Sequence, residues 1–326
     1  RWNDAPTLTA TAASPTFTEG AGSTQAAAVS VFSGATTGTV ESGQTITGLT
    51  FTVGGLLDGA SERIVVDGTT ITLGANSSGT TATNGMSYTV TIASGTATVV
   101  LSKVAGVSTG NINTLVNGIT YQNTSIDNPT DGNRVFTLTQ IVDSGGTASG
   151  GVNTTALSIA STVNVNPVND APVLASGSTL AYTENATSAI NTLITVADAD
   201  NTTLSTATVS ITGGFVSGQD VLAFTNVPAT MGNITGSYVA GTGVMTLSSA
   251  GNTATLAQWQ AALRAVTYNN SSDDPNTGAR TVSYTVNDSA ANSNTVTSTV
   301  NLTSVNDAPT ATITPPVCGS RRSSEM

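Results

Sequence analysis

Histidine is absent from the 326 residues, and the single cysteine, Cys318, stands among the last nine. Those two absences exclude Cys/His zinc sites, Ser-His-Asp and Cys-His catalysis, and any disulfide within the chain. Charge is equally scarce: Asp, Glu, Lys and Arg make up 8% of the residues, against about a quarter in ordinary soluble domains. With one lysine, Lys103, the chain cannot build the i,i+4 ion-pair lattice of exposed helices, so a mostly helical fold is not expected. Eight basic residues against nineteen acidic ones give a net charge of −11, which argues against nucleic acid or an anionic membrane as partner. Aromatics total 4%, with Trp2 and Trp259 the only tryptophans, so no sugar-stacking platform is evident. No apolar run approaches the length of a membrane span. No signal peptide opens the sequence, which places any export signal outside these residues.

Thr, Ser, Gly, Ala, Val and Asn fill the space, and they are arranged in a repeat. Asn-Asp-Ala-Pro occurs at Asn3 to Pro6, Asn169 to Pro172 and Asn306 to Pro309. Alternating apolar and polar residues lead into the second and third copies, and Pro stops a strand, so each copy is expected to be a stiff connector between sheet domains. Within the two intervals, Thr120-Tyr-Gln-Asn-Thr-Ser-Ile-Asp-Asn-Pro129 with Gly132 and Arg134 matches Thr267-Tyr-Asn-Asn-Ser-Ser-Asp-Asp-Pro275 with Gly278 and Arg280. The chain therefore holds two copies of one module, residues 1–168 and 169–305, and the stub of a third in 306–326. The last residues, from Pro315 onward, have no repeat partner and are expected to be a flexible tail without a role for Cys318.

Runs such as Ala207-Thr-Val-Ser-Ile211 and Val282-Ser-Tyr-Thr-Val286 alternate and are rich in β-branched residues, with Gly, Asn and Asp clusters between them. The expectation is an all-β, Ig-like sandwich in each module. One short helix interrupts each. Thr255-Leu-Ala-Gln258 has capping-box spacing, with Leu256, Trp259, Leu263 and Val266 on one face, and Ile112, Leu115, Val116 and Ile119 form a weaker equivalent. Trp259 is expected in the core.

Strands that run alternately up and down fix the end of the sandwich on which each loop lies. With the end that receives the preceding connector taken as the upper one, counting forward from Asn169-Asp170 puts Glu184 at the lower end of module two, and Asp198 and Asp200 at its upper end. Counting backward from Asn306-Asp307 puts Asp288 at the upper end, and Asp273 and Asp274 at the lower. In module one, Glu19, Asp127 and Asp131 fall at the lower end, and Asp143 and Glu41 at the upper end beside Asp4. The middle junction is thus expected to gather Glu19, Asp127, Asp131, Asn169, Asp170, Asp198, Asp200 and Asp288. Fourteen of the nineteen acidic residues fall at module ends on this count, while Asp58, Glu62, Asp67 and Asp220 fit no cluster and are expected to be solvated.

Carboxylates a few ångströms apart repel by roughly 1 to 4 kcal/mol per pair at surface-like dielectric constants. Their convergence calls for a cation, and calcium fits best: it takes six to eight hard oxygen ligands in irregular geometry, where magnesium wants a tighter octahedron. With no imidazole and no available thiol, transition metals are unsuited. The competing explanation is that these acids are ordinary loop residues closing Asx turns and caps.

The Glu near the first turn, the Asp-x-Asp loop, the late Asp and the Asn-Asp connector resemble the calcium-binding layout of cadherin repeats. The Leu/Trp-bearing helix, the Thr-Tyr pair, the acidic Pro/Gly loop and the later Asp-Ser resemble the related chondroitin-sulfate-proteoglycan type repeat. Tandem modules ending in Val-Asn-Asp-Ala-Pro are typical of very large bacterial surface and biofilm adhesins of the RTX type. The resemblance covers nearly all of residues 169–309 and, more loosely, 3–168. It implies Ig-like sandwiches with calcium between consecutive modules, in a secreted, surface-associated host protein. It assigns Glu184 as the first-turn glutamate, Asp198 and Asp200 as the Asp-x-Asp pair, Asp288 as the late aspartate, and Asn169 and Asp170 as linker ligands. Module one departs from the pattern at Gly38-Thr-Val-Glu-Ser-Gly43, with one acid in place of two, and the connector lacks the second Asn of the cadherin linker.

Calcium-stiffened spacer modules for cell adhesion are the leading expectation. The alternatives are a filament or surface-layer subunit joined head to tail through calcium, and a glycan-binding module. Catalysis ranks last: Asp273-Asp274 could in principle serve glycoside hydrolysis, but adjacent acids in a turn more often coordinate or cap. The partners expected are neighbouring modules of the same or identical chains, and a cell-surface or glycan target, without nucleic acid or direct membrane insertion.

Overall fold

The computed structural model describes residues 2–309 and residue 311; the tail from Pro315 and Cys318 lie outside the described residues. The chain divides after Ala171 into two compact units, each an all-β sandwich. The connector residues Asn169 and Asp170 thus belong to the first unit, and one physical reason is visible: the Asp170 carboxylate accepts a hydrogen bond from the Gly22 backbone at 2.6 Å.

Among the described residues the larger sheet of the first unit has seven strands, in the order Thr16–Thr18, Thr154–Asn166, Gly132–Asp143, Ile46–Gly54, Thr96–Val107, Ser87–Ala93 and Ser77–Thr80. The smaller sheet orders Val29–Ser30, Thr120–Asn123, Glu62–Val66 and Thr69–Thr72, and Thr7–Ala12 pairs separately with Phe32–Gly38. The second unit repeats the plan with six strands, Thr179–Thr183, Val296–Thr303, Arg280–Asn287, Thr206–Gly213, Val244–Ser249 and Ile234–Val239. These face three others, Ser188–Ala189, Thr267–Asn270 and Asp220–Ala223.

Alternation builds these sheets. Along Arg280–Asn287 every second side chain is buried, so Val282, Tyr284 and Val286 enter the core while Thr281, Ser283 and Thr285 face outward. The sheets meet through aromatics: Tyr121 of the smaller sheet stands edge-on to Phe17 at 5.7 Å and to Phe136 at 6.1 Å, both on the larger one. Such contacts add about 0.5–1.5 kcal/mol each beyond burial. Asp67-Gly68, both at positive φ, close the hairpin between Glu62–Val66 and Thr69–Thr72 as a two-residue turn matching the strand twist.

Each unit carries its short helix. Leu256–Arg264 starts at a full capping box, in which Thr255 Oγ1 accepts from the Gln258 backbone at 3.3 Å and the Gln258 side chain accepts from the Thr255 backbone at 2.9 Å. Trp259 is fully buried and its Nε1 donates to the Leu204 carbonyl at 3.0 Å. Thr109–Asn117 begins at Ser108 and buries Ile112, Leu115 and Val116.

Candidate cation sites at the module ends

The lower ends of the two units are built alike. In each, the first strand of the larger sheet runs parallel to the last one, Thr16–Thr18 beside Asn164–Asn166 and Thr179–Thr183 beside Thr299–Thr303. A glutamate follows directly. The Glu19 backbone extends the ladder by donating to Asn166 O at 3.0 Å, and that of Glu184 donates to Thr303 O at 3.1 Å. The carboxylates then turn back onto the connector: Glu19 Oε2 accepts from Val168 N at 2.9 Å, and Glu184 Oε1 accepts from Val305 N at 2.7 Å. Two positions 165 residues apart in sequence thus make one clasp on Val-Asn-Asp. The following Asn repeats too, Asn169 donating to Asp170 O at 3.1 Å and Asn306 to Asp307 O at 3.2 Å. Glu184 is buried, and its Oε2 has no hydrogen-bond partner.

The other acids expected at the lower ends are exposed. Asp127 and Asp131 lie in the loop between Thr120–Asn123 and Gly132–Asp143, and Asp273 and Asp274 in the equivalent loop before Arg280–Asn287.

At the upper end of the second unit, Asp198 and Asp200 follow the strand Thr195–Ala197, which pairs with Val173–Ala175 where the chain enters the unit. Asp198 Oδ1 accepts from the backbones of Asp200 at 3.3 Å and Asn201 at 2.9 Å, and Asn201 Nδ2 donates to Asp200 Oδ1 at 3.1 Å. Burial first, and then the neighbouring Asp200 carboxylate, push the Asp198 carboxyl up to about 6. Asp288 Oδ1 accepts from the backbones of Ala290 and Ala291, both at 2.6 Å, and closes its own loop. That loop reaches the other side of the incoming strand, where Asn294 both accepts from and donates to Leu174 at 2.8 Å.

The upper end of the first unit has a denser network. Asn3 donates to Asp143 Oδ1 at 3.1 Å and to Val152 O at 2.8 Å, and accepts from Gln44 at 2.5 Å. Glu41 accepts from the Asp4 backbone at 3.2 and 3.3 Å. The Asp4 side chain is exposed. A cleft of about 240 Å³ opens here, lined by Trp2, Asn3, Glu41, Gln44 and Gly145. Gly145 is needed for this packing, since a Cβ there would stand 2.0 Å from the Asn3 side chain. Asp143 is 2% exposed and its Oδ2 has no partner. Its Oδ1 accepts from Gly145 N at 2.9 Å, as Asp288 accepts from Ala290, so the two late aspartates are equivalent.

Four acids expected to be solvated are held by the protein. Asp67 is buried and accepts from Thr81 Oγ1 at 2.5 Å and from Asn84 N at 2.9 Å. Glu62 and Asp220 are the centres of two equivalent buried knots. Each begins a strand of the smaller sheet and stands in register opposite an asparagine, Glu62 with Asn123 and Asp220 with Asn270. Asp220 accepts from Tyr268 Oη at 2.5 Å, Asn270 Nδ2 at 2.7 Å, Arg280 Nε at 2.9 Å and Val216 N at 2.7 Å. Glu62 accepts from Tyr121 Oη at 2.9 Å, Leu57 N at 2.9 Å, Asp58 N at 3.1 Å and Arg134 Nε. Asp58 completes the first knot, pairing with Arg134 Nη2 at 3.0 Å. A buried arginine demands a buried acid, because an unpaired charge in the interior costs several kcal/mol. Burial first, and the adjacent carboxylate in support, push both tyrosine hydroxyls well above their ordinary value. The repeated Arg134 and Arg280 were the available sequence signal.

The end residues offer carboxylate, amide and carbonyl oxygen, with buried oxygens at Glu184 and Asp143 still lacking partners. That donor set suits a hard divalent cation. Among the described residues, no three acidic side chains already form an enclosed metal cluster. Nor is any helix among them long and apolar enough to cross a membrane.

No protein-family model matches the sequence, and no curated protein does. Solved structures do. The chain is similar to the cadherin domains 1–5 of protocadherin gamma B2, with 14% identity and a TM-score of 0.29 over 94% of this chain and 41% of that one. It is similar to mouse cadherin-23 repeats EC22-24, with 12% identity and a TM-score of 0.30 over 94% and 68%. The third is the C-terminal domain of the Streptococcus agalactiae AgI/II polypeptide BspA, with 9% identity and a TM-score of 0.24 over 90% and 99%.

Proposed function

We propose that these modules are extracellular spacers of a large bacterial surface protein, stiffened at their junctions by calcium and serving cell adhesion in a biofilm. The duplicated clasp carries this reading: Glu19 on Val168 and Glu184 on Val305 tie each connector to the module it leaves. Glu19, Asp127, Asp131, Asn169 and Asp170 would supply oxygens at the lower end of the first unit, and Asp198, Asp200 and Asp288 at the upper end of the second. Bound calcium would supply charge neutralisation and a rigid coordination shell; the chain's own contribution is to aim oxygens and fix the connector. Glu184, Asp273, Asp274, Asn306 and Asp307 would supply oxygens likewise at the lower end of the second unit, and Asp4, Glu41 and Asp143 at the upper end of the first. We propose no enzymatic step. Melting in calcium and in chelator tests the reading, since a cation that binds only the folded junction raises the melting temperature by mass action. Identical melting curves, with no calcium retained after gel filtration, would end it.

A second reading, head-to-tail filament growth through the same cation, is favoured by partnerless buried oxygens at the upper end of the first unit, Asp143 Oδ2, and at the lower end of the second, Glu184 Oε2. An open heterologous contact of this kind propagates. Electron microscopy of the pure protein in calcium would show filaments if it is right and dispersed short rods if it is not.

A further inference from the structure

The two buried knots share a feature that core packing alone does not require: their arginines reach past the paired carboxylate into the backbone of the acidic lower loop. Arg134 Nη2 donates to Thr130 O at 3.1 Å and Nη1 to Gly132 O at 3.2 Å. Arg280 Nη1 donates to Asn276 O at 2.9 Å and to Gly278 O. The other end of each loop is tied to the same knot. Asn123 donates to Asp58 at 2.6 Å and accepts from Ser125 N at 2.9 Å, while Asn270 donates to Asp220 at 2.7 Å and accepts from Ser272 N at 3.0 Å. In the first unit Asp58 also accepts from Thr130 N at 3.1 and 3.0 Å. Each loop holds one buried proline, Pro129 or Pro275, and leaves its acids, Asp127 and Asp131 or Asp273 and Asp274, exposed. Both ends of an otherwise solvated acidic loop are therefore pinned to one buried ion pair, in two modules whose loops differ in length by a residue.

We propose that the buried Glu62–Arg134 pair, extended by Asp58, is a positioning device that holds the Asp127/Asp131 loop in the form that offers its carboxylates to a divalent cation. Asp220–Arg280 does the same for Asp273/Asp274. The inference rests on the calcium reading above and adds to it a group that touches no ion. A guanidinium suits this role because its planar fork spreads donors over three separate nitrogens. Nε holds the carboxylate while a terminal nitrogen reaches the loop carbonyls, where an ammonium would have to gather every acceptor around one atom. Without the clamp the loop must be ordered when the cation binds, and affinity falls by the cost of that ordering.

The test uses the full chain and calcium itself as the probe, read by titration calorimetry alongside melting in chelator. Arg134→Met is expected to weaken calcium half-saturation by about tenfold, the scale on which residues behind metal ligands act, and Asp58→Asn to weaken it in the same direction by less. Asp127→Asn with Asp131→Asn should weaken binding in the wild-type background and add little in the Arg134→Met background, because the loop is already displaced there. A purely structural role would lower the melting temperature in chelator while the folded protein still bound calcium as the wild type does, and that result overturns the inference. Should Arg134→Met fail to fold, Asp58→Asn, which keeps the buried Glu62–Arg134 pair, decides the matter alone. A wild-type chain that takes up no calcium refutes the functional reading instead, and this inference with it.

Discussion

Arg280→Met tests how the second module is held together. Asp220 is 1% exposed and directs its carboxylate at four donors, one of them the Arg280 guanidinium. Methionine fills much of the same volume but leaves the negative charge buried with neutral donors only. Breaking a buried pair in this way costs about 3–5 kcal/mol. Against a total stability of about 5–15 kcal/mol for a domain, that is about a fifth at the least. Adding Asp220→Asn removes the stranded charge while keeping an oxygen to accept from Tyr268, and should recover about 1–3 kcal/mol. Trp259 lies fully buried in the same core, so urea unfolding followed by its fluorescence reports on this unit, whereas Trp2 is 69% exposed in the other. A loss below about 1 kcal/mol for Arg280→Met, or a double variant no more stable than the single one, would refute the ion-pair reasoning.

Trp259→Ala should cost the same unit about 3–5 kcal/mol by opening a cavity. Trp259→Phe, which keeps most of the volume but loses the bond to Leu204, should cost far less; because both variants remove the fluorescent reporter, their urea unfolding is followed by circular dichroism. Thr255→Ala removes the oxygen that caps the short helix and should cost about 1 kcal/mol. Asp198 titrates in the folded protein at about 6, above its unfolded value. Its contribution to stability is therefore fully present below the unfolded carboxylate range and is lost as pH rises through about 6. Melting in chelator should fall across that window for the wild type and stay flatter for Asp198→Asn, and equal slopes would contradict it.

The strands were legible because outward Thr and Ser alternate with inward Val, Ile and Tyr, as along Arg280–Asn287. The helix at Leu256 announced itself through its capping box. Chain parity put Glu19 and Glu184 at the end where each connector leaves, and both carboxylates accept from that connector. Glu62 and Asp220 were not legible as core residues. In a chain with so few charges each looks like an isolated loop acid, and its arginine lies 72 or 60 residues away. Packing of the smaller sheet onto the larger one is what makes acid and arginine neighbours, and no local pattern carries that. Asp67 was hidden for another reason: it sits in a two-residue turn, where Asp is common whether or not its side chain is buried.

Stiffening by calcium is the central claim, and small-angle scattering of the whole chain in millimolar calcium and then in excess chelator measures it most directly. The account predicts that the maximum dimension and the conformational spread both change on chelation, reversibly, and that Asp170→Asn with Asp288→Asn abolishes the difference. Superimposable profiles in the two buffers would contradict it.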